Sequence, residues 1–337
     1  MNTVGTRTAL TLISALCALA CGKKATSAGS EGAPLASSSA APTNTHVTLA
    51  LNWVPEPEFG GFYAARESGA YAKNGLDVEV RGGSADVPVV QMVATGRVEF
   101  ATVGGDELVI AESRGADVVA VFATFQTSPQ CIMVHAERHL TKLEDVFQSG
   151  TVALETGLSF TKFLKAKFKW GGATVVPYDG GIAHFLIDPN FAQQGYATSE
   201  PIAAKRAGQN PQVFLVSDAG FNPYDTVVVT GRKFAENNPD LVQKFVLATR
   251  AGWRNYLDDP APTNAVLGKL NKTMDAATFA AIADAQKPFI ETPETKKLGL
   301  GGMTTERWKA LSQTLLDLSL IPSAPNPSTL FIAPPPP

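Results

Sequence analysis

The spacing of apolar positions along this chain switches repeatedly between the two-residue period of a strand and the 3.6-residue period of a helix. An apolar run over Val47–Trp53 predicts a first strand. Helical spacing follows from Phe59 to Lys73 and stops at Asn74-Gly75, a pair suited to a helix C-cap. "LDVEVR" (Leu76–Arg81) alternates and predicts a second strand. Asp86-Val87-Pro88 opens a helix to Gly96, with the proline in its first turn. "VEFATVG" predicts the third strand, "DELVIAESRG" a helix with Asp106 and Glu107 in its first turn, and "VVAVFATF" the fourth strand.

The pattern then restarts. "CIMVHA", "TVALET", "VVPYD", "FAQQGYA" and "QVFLVS" are apolar strands, with "FTKFLKAKF" and "PIAAKRAG" as helices between them. After "TVVVTG" (Thr226–Gly231) the remaining segments are helical: "NPDLVQKFVLATRAGWRNYLDD", "DAATFAAIADAQKPF" and "TTERWKALSQTLLDLSL". Alternating strands and helices predict an α/β fold on parallel sheets, in two units with a helical end.

The ends of the chain have a different composition. Residues 1–20 read as a secretory signal, with Arg7 ahead of the apolar run "ALTLISALCALA". "ALAC" (Ala18–Cys21) resembles a bacterial lipobox, which makes Cys21 the expected lipidated N-terminus; an ordinary exported protein cut nearby is the alternative. Residues 21–45 are small and polar enough to predict a flexible tether, and the Pro-rich segment 323–337 is expected to be unstructured. About 275 residues remain, which suits one large or two medium domains. With Cys17 removed and Cys21 acylated, Cys131 stands alone, so neither a disulfide framework nor a cysteine metal site is expected. His46, His135, His139 and His184 show no metal-ligand spacing, and no cofactor is expected. A net charge of -3 without a basic block argues against nucleic acid as a partner.

Three stretches carry a resemblance: "LNWVPEPEFGGFYAARESGAYAKNGLDVEV", "VVQMVATGRVEFATVGGDELVIAESRGADVVAV" and "GYATSEP". Over roughly Thr48 to Ile321 the chain resembles bacterial ABC-importer solute-binding proteins of the taurine/nitrate/thiamine-precursor group, the family also named after the yeast pyrimidine-synthesis protein. The resemblance implies a periplasmic-binding-protein type II fold, with two α/β lobes joined by two crossovers and ligand clamped between them. Residues 46–126 with 229–322 would form one lobe and 127–228 the other, with crossovers near Thr124–Pro129 and Phe221–Thr226. It also implies a monomer in the periplasm, tethered to a membrane through Cys21 and working with a permease and an ATPase.

Ligands of open parallel sheets sit beyond the carboxyl ends of strands. The candidates there are Asn52, Trp53, Glu56 and Glu58 after the first strand, with Phe62 or Tyr63 on the following helix. Gly105 and Asp106 follow the third strand, Glu155 the "TVAL" strand, and Tyr196 and Glu200 the "FAQQG" strand; Tyr224 and Asp225 lie on the second crossover. Trp53 stands where an apolar strand gives way to a Pro-rich loop, a place for a half-exposed stacking surface. Asp106 could equally be an N-cap, and Glu200 an ordinary first-turn acid favoured by the helix dipole.

These loops offer Glu56, Glu58, Asp106, Glu107, Glu155, Glu200 and Asp225, and no arginine or lysine. Such a rim suits a flat ring bearing N–H donors, as charge-assisted hydrogen bonds to carboxylates, better than an anion. An aminopyrimidine thiamine precursor is therefore the leading expectation. Riboflavin, an aliphatic sulfonate, nitrate, or a pyrimidine-synthesis enzyme are the alternatives.

Overall fold

The computed structural model describes residues 44–84 and 86–336. The predicted signal, Cys21 and nearly all of the tether lie outside them. Ten strands form two five-stranded sheets. They are β1 (Thr45–Ala50), β2 (Leu76–Arg81), β3 (Phe100–Val103), β4 (Val118–Phe125), β5 (Gln130–His135), β6 (Thr151–Ala153), β7 (Thr174–Val176), β8 (Phe191–Tyr196), β9 (Pro211–Leu215) and β10 (Asp225–Gly231). The strand orders are β2-β1-β3-β10-β4 and β7-β6-β8-β5-β9.

Neither sheet is purely parallel, which corrects the expectation from the alternating pattern. β10 runs antiparallel to β3 and β4, and β5 antiparallel to β8 and β9. The reason is topological. β5 and β10 are the strands that directly follow the two passages of the chain between sheets, so each enters its sheet against the grain. β10 belongs to the first sheet from Asp225 onward, ahead of residue 229.

β2 keeps strict alternation of buried Leu76, Val78 and Val80 with exposed partners, as an edge strand covered on one face does. β4, apolar except for Thr124, is buried along its length. The helix expected over Phe59–Lys73 is broken into Gly60–Glu67 and Ala70–Lys73 by Gly69 in the left-handed region. Behind it packs the amphipathic helix Pro239–Asp258. The two approach so closely that a Cβ on Gly61 would overlap the Trp253 indole. The Gly60-Gly61 pair thus serves helix packing.

The Pro-rich tail, expected to be unstructured, is packed instead. The Ala120 N–H donates to the Leu330 carbonyl at 2.9 Å, and the Ile332 N–H to the Ala120 carbonyl at 2.8 Å. Leu330 is fully buried. β4 is the outer strand of its sheet; the Gly301 carbonyl takes the Ala123 N–H, and "TLFI" supplies the apolar, hydrogen-bonding segment that covers the edge at Ala120. Among the described residues no helix is long and apolar enough to cross a membrane.

Candidate functional site

The cleft begins where β1 ends. The Thr102 hydroxyl on β3 donates to Asn52 Oδ1 at 2.7 Å and accepts the Asn52 backbone N–H at 3.0 Å, so Asn52 is fixed by the neighbouring strand. The loop after it is held by distant side chains. Asn271 Nδ2 donates to the Pro55 carbonyl at 3.2 Å, and Gln286 Nε2 to the Pro57 carbonyl at 3.0 Å. Pro55 and Pro57 limit the backbone, and these two anchors complete a rigid wall that presents Trp53, Glu56 and Glu58 to the cleft.

The opposite wall comes from the second sheet. Gln194 Nε2 on β8 donates to Glu155 Oε2 at 2.7 Å, and Gln194 Oε1 accepts the Glu155 N–H at 2.6 Å. Glu200 accepts from the Tyr178 hydroxyl at 3.0 Å and from the Tyr196 N–H at 2.7 Å. Ser199, at the N-cap of the helix Glu200–Arg206, makes no side-chain capping bond. Together the two walls enclose a cavity of about 280 Å³. A smaller cavity of about 100 Å³ adjoins it toward the crossovers, lined by Asp106, Ser128, Phe160, Phe221 and Asp225 among others.

Of the sequence-predicted residues, Asn52, Trp53, Glu58, Glu155, Tyr196 and Glu200 line the larger cavity, and Asp106 the smaller. Phe62, Gly105 and Tyr224 do not line either. Phe62 is fully buried edge-on against Trp253, with ring centroids 5.7 Å apart, because its helix face turns toward Pro239–Asp258. Tyr63 is buried as well. Gly105 donates its N–H to the Tyr224 carbonyl at 2.9 Å, and a Cβ there would strike that oxygen. Tyr224 lies under the Arg307 guanidinium, 3.9 Å from its ring centroid, and its hydroxyl accepts the Thr304 N–H at 3.0 Å. Both serve the packing of the second crossover against the body. Asp106 is not the N-cap of its helix, which begins at Gly105.

Sequence reasoning missed Gln130, Gln194, Tyr178 and Ser128. Two glutamines inside the apolar run "FAQQGY" were a usable signal, since buried amides in a strand need partners. Gln130 and Asp225 sit at the amino ends of β5 and β10, which the rule about carboxyl ends passes over in antiparallel strands.

Burial and mutual repulsion dominate the electrostatics. Burial, then the charge of Glu200, raises Glu56 to about 7, against a smaller opposing effect of Trp53. Glu58 is pushed well above the carboxylate range by burial and by Glu56, Asp225 and Glu200. Burial likewise raises Asp106 and Glu200, and takes Asp225 to about 6. Glu107 is raised by its surroundings too, though its open position lets solvent screen the effect. No lysine or arginine lines either cavity. Among the described residues no group of three histidine, cysteine or acidic side chains is placed to hold a metal ion.

A family model described as NMT1/THI5 like matches residues 56–263. The chain is 27% identical over 305 residues to the riboflavin-binding protein RibY of Chloroflexus aurantiacus, covering 85% of this chain and 84% of that protein. It is 22% identical over 276 residues to the formylaminopyrimidine-binding protein of Halalkalibacterium halodurans, covering 78% and 82%. Its fold is similar to that of the periplasmic aliphatic sulphonate binding protein SsuA from Escherichia coli, with a TM-score of 0.67 at 16% identity over 86% of this chain and 92% of that one.

Proposed function

Because the chain belongs to the NMT1/THI5-like family, we propose that it is the solute-binding component of an ABC importer and captures a planar, nitrogen-rich heteroaromatic between its two sheets. The observation that carries this reading is a cavity holding Glu56, Glu58, Glu155 and Glu200 beside Trp53, with no basic side chain in its lining. A ring with N–H donors or positive charge offers such carboxylates ionic or hydrogen-bonding partners. A sulfonate or nitrate would instead be a desolvated anion among carboxylates, which is costly. The Trp53 face, with Tyr178 and Tyr196 opposite, suits the faces of a flat ring. An aminopyrimidine thiamine precursor and the tricyclic ring of a flavin both answer this description, in keeping with the names of the two relatives.

The chemistry is capture, with no bond made or broken. Cys131 is fully buried, with its thiol pushed far up by burial, so it offers no nucleophile to the cleft. A ligand that touches both walls stabilises the closed arrangement over an open one and shifts the population toward it. In this reading the closed monomer, held in the periplasm by a lipid on Cys21, delivers its ligand to a permease driven by an ATPase.

The test is a thermal-shift screen of the purified protein against aminopyrimidines, thiamine, riboflavin, taurine and nitrate. A native-state ligand at a hundred times its Kd adds about 2.7 kcal/mol of stability. Heteroaromatic amines or flavins should raise Tm. A rise with taurine or nitrate alone would overturn the reading.

A further inference from the structure

The two cavities adjoin. They share Asn52, Glu107, Gln130, Leu158 and Tyr196 in their linings, so a ligand in the larger one lies against the residues that border the smaller. The linings differ in kind. Trp53 and Tyr178 belong only to the larger cavity. The smaller has Phe160, Phe221 and Pro223 as apolar walls and Asp106, Ser128 and Asp225 as polar groups. It offers about 100 Å³ against about 280 Å³ in the larger cavity, room for a side arm beside the ring.

Its polar groups are arranged to accept. Asp225 already takes the Ser128 hydroxyl at 3.2 Å, the Tyr196 hydroxyl at 3.0 Å and the Thr226 N–H at 2.9 Å, and a carboxylate has about four acceptor positions. Asp106 brings a second carboxylate, with the same acceptor capacity, to this lining. The smaller cavity holds no lysine or arginine, so nothing there would receive a negative charge.

Resting on the ring-capture reading above, we propose that the smaller cavity is a subsite for an uncharged or cationic arm of the ligand, one that carries hydroxyl or amine donors to Asp106 and Asp225 and lies along Phe160 and Phe221. An arm ending in phosphate is rejected there, because it would face two carboxylates without a counter-charge. The full ligand is thus a flat head with a donor-bearing tail. The tail, which reaches the crossovers, decides among ligands with the same head.

Three flavins that share one ring test this by calorimetric titration at pH 7.5: lumiflavin with a methyl arm, riboflavin with a hydroxylated arm, and FMN with the same arm phosphorylated. Riboflavin should bind at least tenfold more tightly than lumiflavin, and FMN at least tenfold more weakly than riboflavin. In D106N the preference over lumiflavin should shrink to under threefold and the penalty on FMN should fall. Lumiflavin and riboflavin binding alike, or FMN binding as well as riboflavin, overturns the subsite while leaving ring capture intact. If only pyrimidines bind, 4-amino-5-hydroxymethyl-2-methylpyrimidine against 4-amino-2,5-dimethylpyrimidine decides by the same tenfold margin. Failure of every ring compound to bind overturns both this subsite and the reading beneath it.

Discussion

The Tyr196 hydroxyl donates to Asp225 Oδ1 at 3.0 Å and thereby ties the end of β8 in one sheet to the start of β10 in the other. Asp225 is also held by Ser128, which stands on the first crossover, and by the N–H of Thr226. Thr226 adopts a φ of 45°, a left-handed conformation costly for a β-branched residue. The strain sits at the point where the chain re-enters the first sheet, and the Asp225 network holds it in place. One carboxylate thus joins a cavity wall, both crossovers and a strained turn.

Tyr196→Phe removes one donor from buried Asp225 and should cost about 1–3 kcal/mol of stability, the usual penalty for leaving a buried acceptor short of a partner. Urea denaturation reads it directly. Because the bond links the sheets, the variant should also bind ligand more weakly. A variant as stable as wild type would show that water replaces the hydroxyl and that the link carries no weight.

Trp53→Ala should weaken ligand binding by about 1–3 kcal/mol, from the apolar and stacking area lost on the ring face. Trp53 packs only at the margin of the core behind it, so the melting temperature should move little. Titration calorimetry and a melting curve on the same sample separate the two effects. A large stability loss with unchanged affinity would place the indole in the core.

Glu56 stands at about 7 in the folded protein against an ordinary 4.5. The folded state therefore holds more protons than the unfolded chain between those values. Its contribution to stability is fully present below about pH 4.5 and is lost as pH rises through 7. Asp225, raised from 3.8 to about 6, acts with the same sign. Apo protein should melt at a higher temperature at pH 5.5 than at pH 8, and Glu56→Gln should flatten that slope. Parallel profiles for variant and wild type would remove Glu56 from the account. A ligand donating N–H groups to the ionised acid should bind more tightly as pH rises from 6 to 8 and release protons as it binds, visible in buffers of different ionisation enthalpy.

Phe62→Ala should cost about 3–5 kcal/mol of stability through the cavity left against Trp253. Affinity, measured where the variant is still folded, should stay within a factor of two. A selective loss of affinity would return Phe62 to the cleft.

Much of the architecture could be read from local pattern, because β2 alternates, β4 is apolar except for Thr124 and the last third has helical spacing. The order of elements and the Trp53–Glu58 loop pointed to the cleft for the same reason, since Pro55 and Pro57 impose their geometry whatever lies around them. Other assignments failed at contacts between distant segments. Phe62 follows a strand end as Trp53 does, but its side depends on a helix nearly two hundred positions later. The segment around Leu330 looked too Pro-rich to order, and its partners, the edge of β4 and the Arg232 guanidinium, come from distant parts of the chain.

The sequence by itself determined the alternation of strands and helices, the acidic and cation-poor character of the loops, and the stiffness of the wall bearing Trp53. These follow from side-chain chemistry and short-range backbone limits. Only the tertiary structure decided that β5 and β10 run against their sheets, which brings Gln130 and Asp225 to the cleft by their amino ends. It alone set Gln194 on Glu155 and Tyr178 on Glu200, and brought Tyr196 into the linings of both cavities. Strand direction and cross-sheet pairing depend on how the chain passes between lobes, and no short window of residues encodes that path.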